Sequence, residues 1–173
     1  WVNPDESHKD VGFFDYMSQG ALEALNAVKT QTQLDKVNLL GFCVGGTLLA
    51  SLLAYLKAKK DDSIQSATFL TSLIDFSDPG DLGIFIDEDQ IKILEDEMNE
   101  KGYLDGRLIA TTFNSLSAND LIWSFFIKNY LQGKDPVPFD ILYWNNDSTH
   151  LPATMHSQYL RNMYLHNDLI KPG

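Results

Sequence analysis

The residues best placed to do chemistry in this 173-residue chain are Gly41-Phe42-Cys43-Val44-Gly45-Gly46. They lie between the apolar run Val37-Asn38-Leu39-Leu40 and a helix-forming stretch from Thr47 to Lys60. A G-x-C-x-G sequence between a strand and a helix has the form of a nucleophile elbow, with cysteine where serine is usual. Such a turn forces the nucleophile into a strained backbone conformation. The small residues on either side, Gly41 and Gly45, let neighbouring backbone come close without a Cβ clash. Cys43 then stands at a helix N-terminus, whose partial positive charge favours thiolate over thiol. The Val44 amide is left free to donate to an oxyanion. A second reading fits the same residues: cysteine is among the most buried residue types, and glycines also occur wherever a helix packs closely on a strand. The strand before and the helix after favour the catalytic reading.

A cysteine nucleophile needs a base, and the base an orienting acid. His150, His156 and His166 follow the cysteine, whereas His8 precedes it in a polar loop. His150, in Asn146-Asp147-Ser148-Thr149-His150, reads as a solvated loop residue. His156 and His166 fall on the last helix, where a histidine with ordinary partners is the usual case. None follows a strand, where a catalytic histidine loop belongs. Asp75 comes directly after a strand and is a possible acid, but aspartate at a strand end is also a common turn former.

The elements that must hold these groups follow from periodicity. Phe14, Met17, Ala21, Leu25 and Val28 recur at helical spacing within residues 13 to 29. Leu34 to Leu40 is expected as the strand feeding the elbow and Thr47 to Lys60 as the helix leaving it. Leu48, Leu49, Leu52, Leu53 and Leu56 suit packing on a sheet, and Lys57, Lys59 and Lys60 suit a helix C-terminus. Ala67 to Ile74 reads as a buried strand stopped by Asp75-Phe76-Ser77-Asp78-Pro79-Gly80. This order predicts an α/β fold with parallel strands.

After Gly80 the character changes. Asp87 with Gln90 predicts a helix start of capping-box type and an acidic helix to about Glu100. Asn119-Asp120 opens another helix, Leu121 to Leu131, apolar nearly all round. Such a helix is usually buried in a core; the functional alternative is a cap surface that opens, dimerises or meets a hydrophobic product. A loop with Pro136 and Pro138 follows, then Tyr143-Trp144, then a last helix from about Ala153 to His166. No strand alternation is evident from residue 81 onwards. The expected organisation is an α/β core segment over residues 1–80 and a mostly helical cap over 81–173.

With 44% hydrophobic and 12% aromatic residues the chain belongs to the globular class. No apolar run approaches the ~20 residues that span a bilayer. The opening Trp1-Val2-Asn3-Pro4-Asp5 shows no secretory signal and reads as the middle of a protein, just after a strand. A single cysteine rules out an internal disulfide and suits a reducing cytoplasm. The net charge of -11 argues against nucleic-acid binding and is awkward for an anionic substrate such as a coenzyme A ester. No histidine, cysteine and carboxylate cluster has ligand spacing, so no metal or redox cofactor is implied.

Several blocks resemble one family. Trp1-Val2-Asn3-Pro4-Asp5, Leu39-Leu40-Gly41-Phe42-Cys43-Val44-Gly45-Gly46-Thr47 and Leu73-Ile74-Asp75-Phe76-Ser77-Asp78 are similar to poly(3-hydroxyalkanoate) synthase. So are Asn119-Asp120-Leu121-Ile122-Trp123, Asn129-Tyr130-Leu131, Pro136-Val137-Pro138-Phe139-Asp140, Tyr143-Trp144-Asn145 and Tyr159-Leu160-Arg161. The pattern is most similar to the class I type, which favours short-chain substrates. Two departures stand out: Leu116-Ser117-Ala118 replaces the family's frequent Leu-Arg-Pro, and Val2 takes the place of a frequent Arg.

The resemblance implies an α/β-hydrolase core with a cap, Cys43 as nucleophile, and a catalytic Asp and His in segments beyond Gly173. It implies acyl transfer from 3-hydroxyacyl-coenzyme A to a growing polyester, with coenzyme A as part of the substrate and not a cofactor. It also implies a homodimer at the surface of cytoplasmic polymer granules. The alternatives are a cysteine hydrolase of the dienelactone hydrolase kind, which cleaves with water, and a non-catalytic granule-associated fragment.

Overall fold

The computed structural model describes residues 2–116, 118–136 and 147–172. The expected Pro138 loop and Tyr143-Trp144 lie outside the described residues. Strands β1 (Val37–Phe42) and β2 (Ile64–Leu70) pair in parallel, with Leu39 opposite Ala67 and Phe42 opposite Leu70. A parallel pair needs a crossover, and helix α2 (Val44–Ala58) supplies it. Helix α1 precedes them over residues 13–32, with a wide π-helical stretch at Tyr16–Ala21, and ends at Gln33 in the left-handed region.

Helices α1 and α2 cover one face of this sheet. Met17, Leu25, Leu52 and Leu56 are buried there, with Val37, Leu39, Tyr55 and Ile64 packed against them. Each such side chain contributes roughly 1.5–3 kcal/mol on burial. Side chains alternate across a strand, so Leu40 and Phe42 point to the other face, where they are 63% and 64% exposed. Leu70, paired with Phe42, is exposed on that side too.

The boundaries differ from the sequence expectation around the elbow. Strand β1 starts at Val37 and not Leu34, and it continues through Gly41 and Phe42 because these pair with Phe69 and Leu70. Helix α2 starts at Val44 and not Thr47. The turn is therefore one residue long. Strand β2 ends at Leu70 and not Ile74, because Thr71 adopts φ 45°, which breaks the ladder.

Beyond Gly80 the described chain is mostly helical. It runs through α3 (Glu88–Lys101), β3 (Tyr103–Leu104), α4 (Gly106–Leu116), α5 (residues 118–131), β4 (Leu151–Pro152) and α6 (residues 153–165). Asp87 caps α3 as expected, its Oδ1 accepting the Gln90 N–H at 2.8 Å, but the reciprocal half of a capping box is not formed: Gln90 Nε2 donates to Asp87 Oδ2 at 2.8 Å instead of the side chain accepting the Asp87 N–H. Strands β3 and β4 pair antiparallel over two residues each, too short for alternation to show in the sequence. Helix α4, rich in Thr, Asn and Ser, carries too weak a helix preference to be read in advance.

Helix α5 corrects the expectation of burial. Trp123, Phe125, Tyr130 and Leu131 are 54%, 51%, 76% and 63% exposed. Its rings cover one another instead, Phe126 stacking on Tyr130 at 5.1 Å and meeting Trp123 edge-on at 6.0 Å. Helix α6 is the part that ties the two ends of the chain together. Arg161 reaches Glu88 at 2.7 Å and Glu95 at 2.7 and 2.8 Å on α3. Gln158 Oε1 accepts the Phe13 N–H at 2.8 Å at the start of α1.

Candidate active site

Cys43 stands between β1 and α2 at φ 52° and ψ -125°. A positive φ in a non-glycine residue costs on the order of 1–3 kcal/mol and persists only where its surroundings impose it. Here the Cys43 N–H donates to Leu70 O at 3.0 Å, extending the ladder by one residue, and Cys43 O accepts the Gly46 N–H at 2.9 Å. The thiol itself is exposed, so it is not a core cysteine. The Val44 N–H is a first-turn donor that no helical carbonyl can reach, and it has no hydrogen-bond partner among the described residues.

The glycines divide the work differently from the sequence expectation. A Cβ on Gly41 would lie 2.6 Å from Gly46 Cα and 2.8 Å from Gly45 O, and a Cβ on Gly46 would overlap the Ser72 side chain. Gly45, by contrast, has open space where its Cβ would be. The close approach is thus Gly41 on the Gly45–Gly46 backbone, while the Cβ position of Gly45 itself stays open among the described residues. The loop after β2 is fastened to the same place. Ser72 Oγ donates to Leu70 O at 2.9 Å and Thr47 Oγ1 to Leu73 O at 2.7 Å.

Two phenols from α6 pack on the loop that follows β2. Tyr159 and Tyr164 meet edge-on at 5.4 Å, and both pack against Phe76, which is 2% exposed. Burial raises the pKa of Tyr159, the Tyr164 hydroxyl adds to this, and a contact with Thr47 opposes it. Burial likewise raises the pKa of Tyr164, with the neighbouring Tyr159 hydroxyl opposing it. Among the described residues no hydrogen bond joins either hydroxyl to Cys43.

The histidines take no part here. His8 Nδ1 lies 2.9 Å from Asp5, which caps the short turn Glu6–His8. His150 is not the solvated loop residue its neighbours suggested. Its ring stacks on Tyr103 at 4.3 Å, its N–H donates to Asn3 at 2.8 Å, and Nδ1 lies 3.2 Å from Pro4 O. Among the described residues His156 Nδ1 is covered and has no partner, and burial pushes its pKa down to about 4. His166 is exposed. Among the described residues no histidine is hydrogen-bonded to Cys43 or Asp75. Asp75 is held by Asn167 Nδ2 at 2.8 Å and the Ser77 N–H at 2.9 Å, which lower its pKa.

Tyr159 entered the sequence analysis only within the block Tyr159-Leu160-Arg161, and Tyr164 and Asn167 not at all. Residues five apart in an α-helix lie about 140° apart, so the two tyrosines looked unrelated. Residues Tyr159–Leu165 form a wide turn with five-residue spacing, which brings them to one side. No sequence period announces such a turn.

A parallel strand pair, a one-residue turn at positive φ and an exposed cysteine at the following helix define the class, and the chain belongs to the α/β-hydrolase fold family, matched over residues 4–168. Within it, the chain is 51% identical over 171 residues to the poly(3-hydroxyalkanoate) polymerase subunit PhaC of Rhizobium meliloti (strain 1021), covering 99% of this chain and 28% of that relative. It is 52% identical over 171 residues to the poly(3-hydroxyalkanoate) polymerase of Methylorubrum extorquens, with the same coverage of both chains. It is 41% identical over 178 residues to the polymerase subunit PhaC of Cupriavidus necator, covering 100% of this chain and 30% of the relative. The chain spans less than a third of the length of these relatives.

Proposed function

We propose that these residues carry the nucleophile of an acyltransferase that builds polyhydroxyalkanoate from 3-hydroxyacyl-coenzyme A, with 3-hydroxybutyryl-coenzyme A as the preferred substrate. The observation that carries this reading is Cys43, exposed at φ 52° on the β1–α2 turn, in a chain so similar to polymerases of that name.

The sulfur of Cys43, as thiolate, attacks the thioester carbonyl carbon. The C–O π electrons move to oxygen, and the Val44 N–H donates to that oxyanion. Collapse breaks the bond to the coenzyme A sulfur, which leaves as thiolate and takes up a proton. One thioester is exchanged for another, so the acyl-enzyme stays reactive. The 3-hydroxyl of a second unit then attacks the Cys43 thioester, forming the ester C–O bond and freeing the thiolate. The base for that proton, and the aspartate that orients it, belong to segments beyond Gly173, in keeping with the absence of any histidine at Cys43 among the described residues. Residues 81–173 act as a cap that keeps water from the acyl-enzyme. The complete enzyme works as a homodimer at the cytoplasmic polymer granule.

The test is the full-length protein with 3-hydroxybutyryl-coenzyme A, following coenzyme A release and polymer together. Both should appear, and Cys43→Ala should abolish both while leaving the melting temperature nearly unchanged, since the thiol is exposed. Coenzyme A release without polymer would identify a hydrolase. Turnover of Cys43→Ala within about tenfold of the parent would remove the cysteine from the mechanism.

A further inference from the structure

The loop after β2 places one hydroxyl at the base of the elbow. Thr71 leaves the ladder at φ 45°, and the next side chain, Ser72, turns back onto the strand ends. Its Oγ donates to Leu70 O at 2.9 Å and lies 3.4 Å from Gly41 O, so it bridges the ends of both strands. Leu70 O also accepts the Cys43 N–H at 3.0 Å. A carbonyl oxygen has two lone pairs, so one atom can hold the nucleophile's backbone and the Ser72 hydroxyl together. Ser72 also packs against Gly46, where any side chain would overlap it. Gly46 in turn donates its N–H to Cys43 O at 2.9 Å. Thr47, 1% exposed, fastens the following residue of the loop through Leu73 O at 2.7 Å. Ser72 thus meets the chain before Cys43, opposite it and after it.

We propose that Ser72 is a positioning residue for Cys43, its hydroxyl bracing the Leu70 carbonyl so that the one-residue turn keeps its positive φ. A non-glycine residue in that region relaxes unless its surroundings hold it. The bond from the Cys43 N–H to Leu70 O is the hold on one side, and the Gly46 N–H on Cys43 O is the hold on the other. An acceptor fixed by a second donor does not swing with the turn. When the turn relaxes, the sulfur and the Val44 N–H rotate together, away from the place where the oxyanion forms. That cost falls on the transition state and not on the binding of substrate. The inference deepens the proposed acyl transfer and rests on Cys43 being its nucleophile.

Two measurements on the full-length protein test it, and one of them needs no turnover. Coenzyme A release from 3-hydroxybutyryl-coenzyme A gives kcat and KM for the parent, Ser72→Ala and Ser72→Thr. Amide deuterium exchange, read by mass spectrometry, compares the elbow over 41–46 with the body of α2 over 49–56. Ser72→Ala should lower kcat about three- to tenfold, the worth of one ordinary hydrogen bond, with KM within about twofold of the parent. Its elbow amides should exchange faster by a similar factor while those of 49–56 match the parent. Ser72→Thr keeps the hydroxyl and should recover both kcat and protection. A merely structural role would speed exchange equally over both segments. That result overturns the proposal, as do unchanged kcat and exchange in Ser72→Ala, or a Ser72→Thr variant no faster than Ser72→Ala. If the parent releases no coenzyme A, the acyl-transfer reading fails, and exchange over 41–46 still decides the role of Ser72.

Discussion

Asn167 joins the last helix to the end of the sheet through Asp75. At φ 51° it turns the chain out of α6, and its Nδ2 donates to Asp75 Oδ1 at 2.8 Å while its Oδ1 accepts the Phe76 N–H at 2.9 Å. One side chain thus fixes the loop that follows β2, and with it the Phe76 ring on which both tyrosines rest.

Asn167→Ala should therefore loosen the site from a distance. It leaves the Phe76 N–H without its partner and puts a residue less tolerant of the left-handed region at φ 51°. The expected loss is about 1–3 kcal/mol. Urea unfolding measures it, and Asn167→Gly should share the lost hydrogen bonds without the backbone penalty. Equal stability of the alanine variant and the parent would show that the bridge contributes nothing.

The elbow glycines should separate cleanly. Gly41→Ala and Gly46→Ala drive a methyl into Gly46 backbone and the Ser72 side chain respectively, so both should destabilise by 2 kcal/mol or more, roughly the cost of overpacking. Gly45→Ala meets nothing and lies in the first turn of α2, where alanine is the better helix former, so its effect should stay within about 1 kcal/mol and favour the fold. Thermal unfolding of the three variants reads the contrast. A Gly45→Ala loss as large as that of Gly41→Ala would refute the assignment.

The comparison of sequence and structure turns on length scale. The elbow was legible because its pattern is local: a glycine two residues before the cysteine, an apolar run before and a leucine-rich helix after. Helices α3 and α6 were legible for the same reason, through Asp87 with Gln90 and through the run from Ala153. What escaped depends on contacts across the chain. Gly46 and not Gly45 meets its neighbour, because Ser72 lies more than 20 residues on. Tyr159 and Tyr164 share a side only because the helix widens. The all-round apolar pattern of α5 says that burial would be favourable, not that a partner surface is at hand. His150 looked solvated because the residues that hold it, Asn3, Pro4 and Tyr103, are far away in sequence.

His156 should make the protein acid-sensitive in a defined window. Its covered ring has a pKa near 4 in the folded chain against about 6.5 unfolded. The unfolded state therefore binds the extra proton first, and stability falls as pH drops from about 6.5 towards 4, then levels off for this group. The full difference amounts to about 3 kcal/mol. His156→Phe cannot be protonated, so parent and variant stabilities, measured by urea unfolding between pH 7 and 4, should diverge on acidification as the parent weakens faster. Parallel curves would mean that the ring is hydrated in solution.

The exposed apolar helix offers the last prediction. Ile122, Trp123, Phe125, Phe126, Ile127, Tyr130 and Leu131 are all more than two-fifths exposed, on a helix whose rings pack mainly on each other. A patch of this kind on a folded protein marks a surface that meets something else, and in the proposed polymerase it belongs to the cap. Local stability follows buried contacts, so amides over 118–131 should exchange with deuterium well before those of α2, which carries Leu49, Leu52 and Leu56 in the core. Binding of a non-reactive substrate analogue to the full-length enzyme should then slow exchange in α5 and leave α2 unchanged. Protection equal to that of α2 before any ligand is added, and unaltered after, would make α5 a static part of the fold and remove the moving cap from the mechanism.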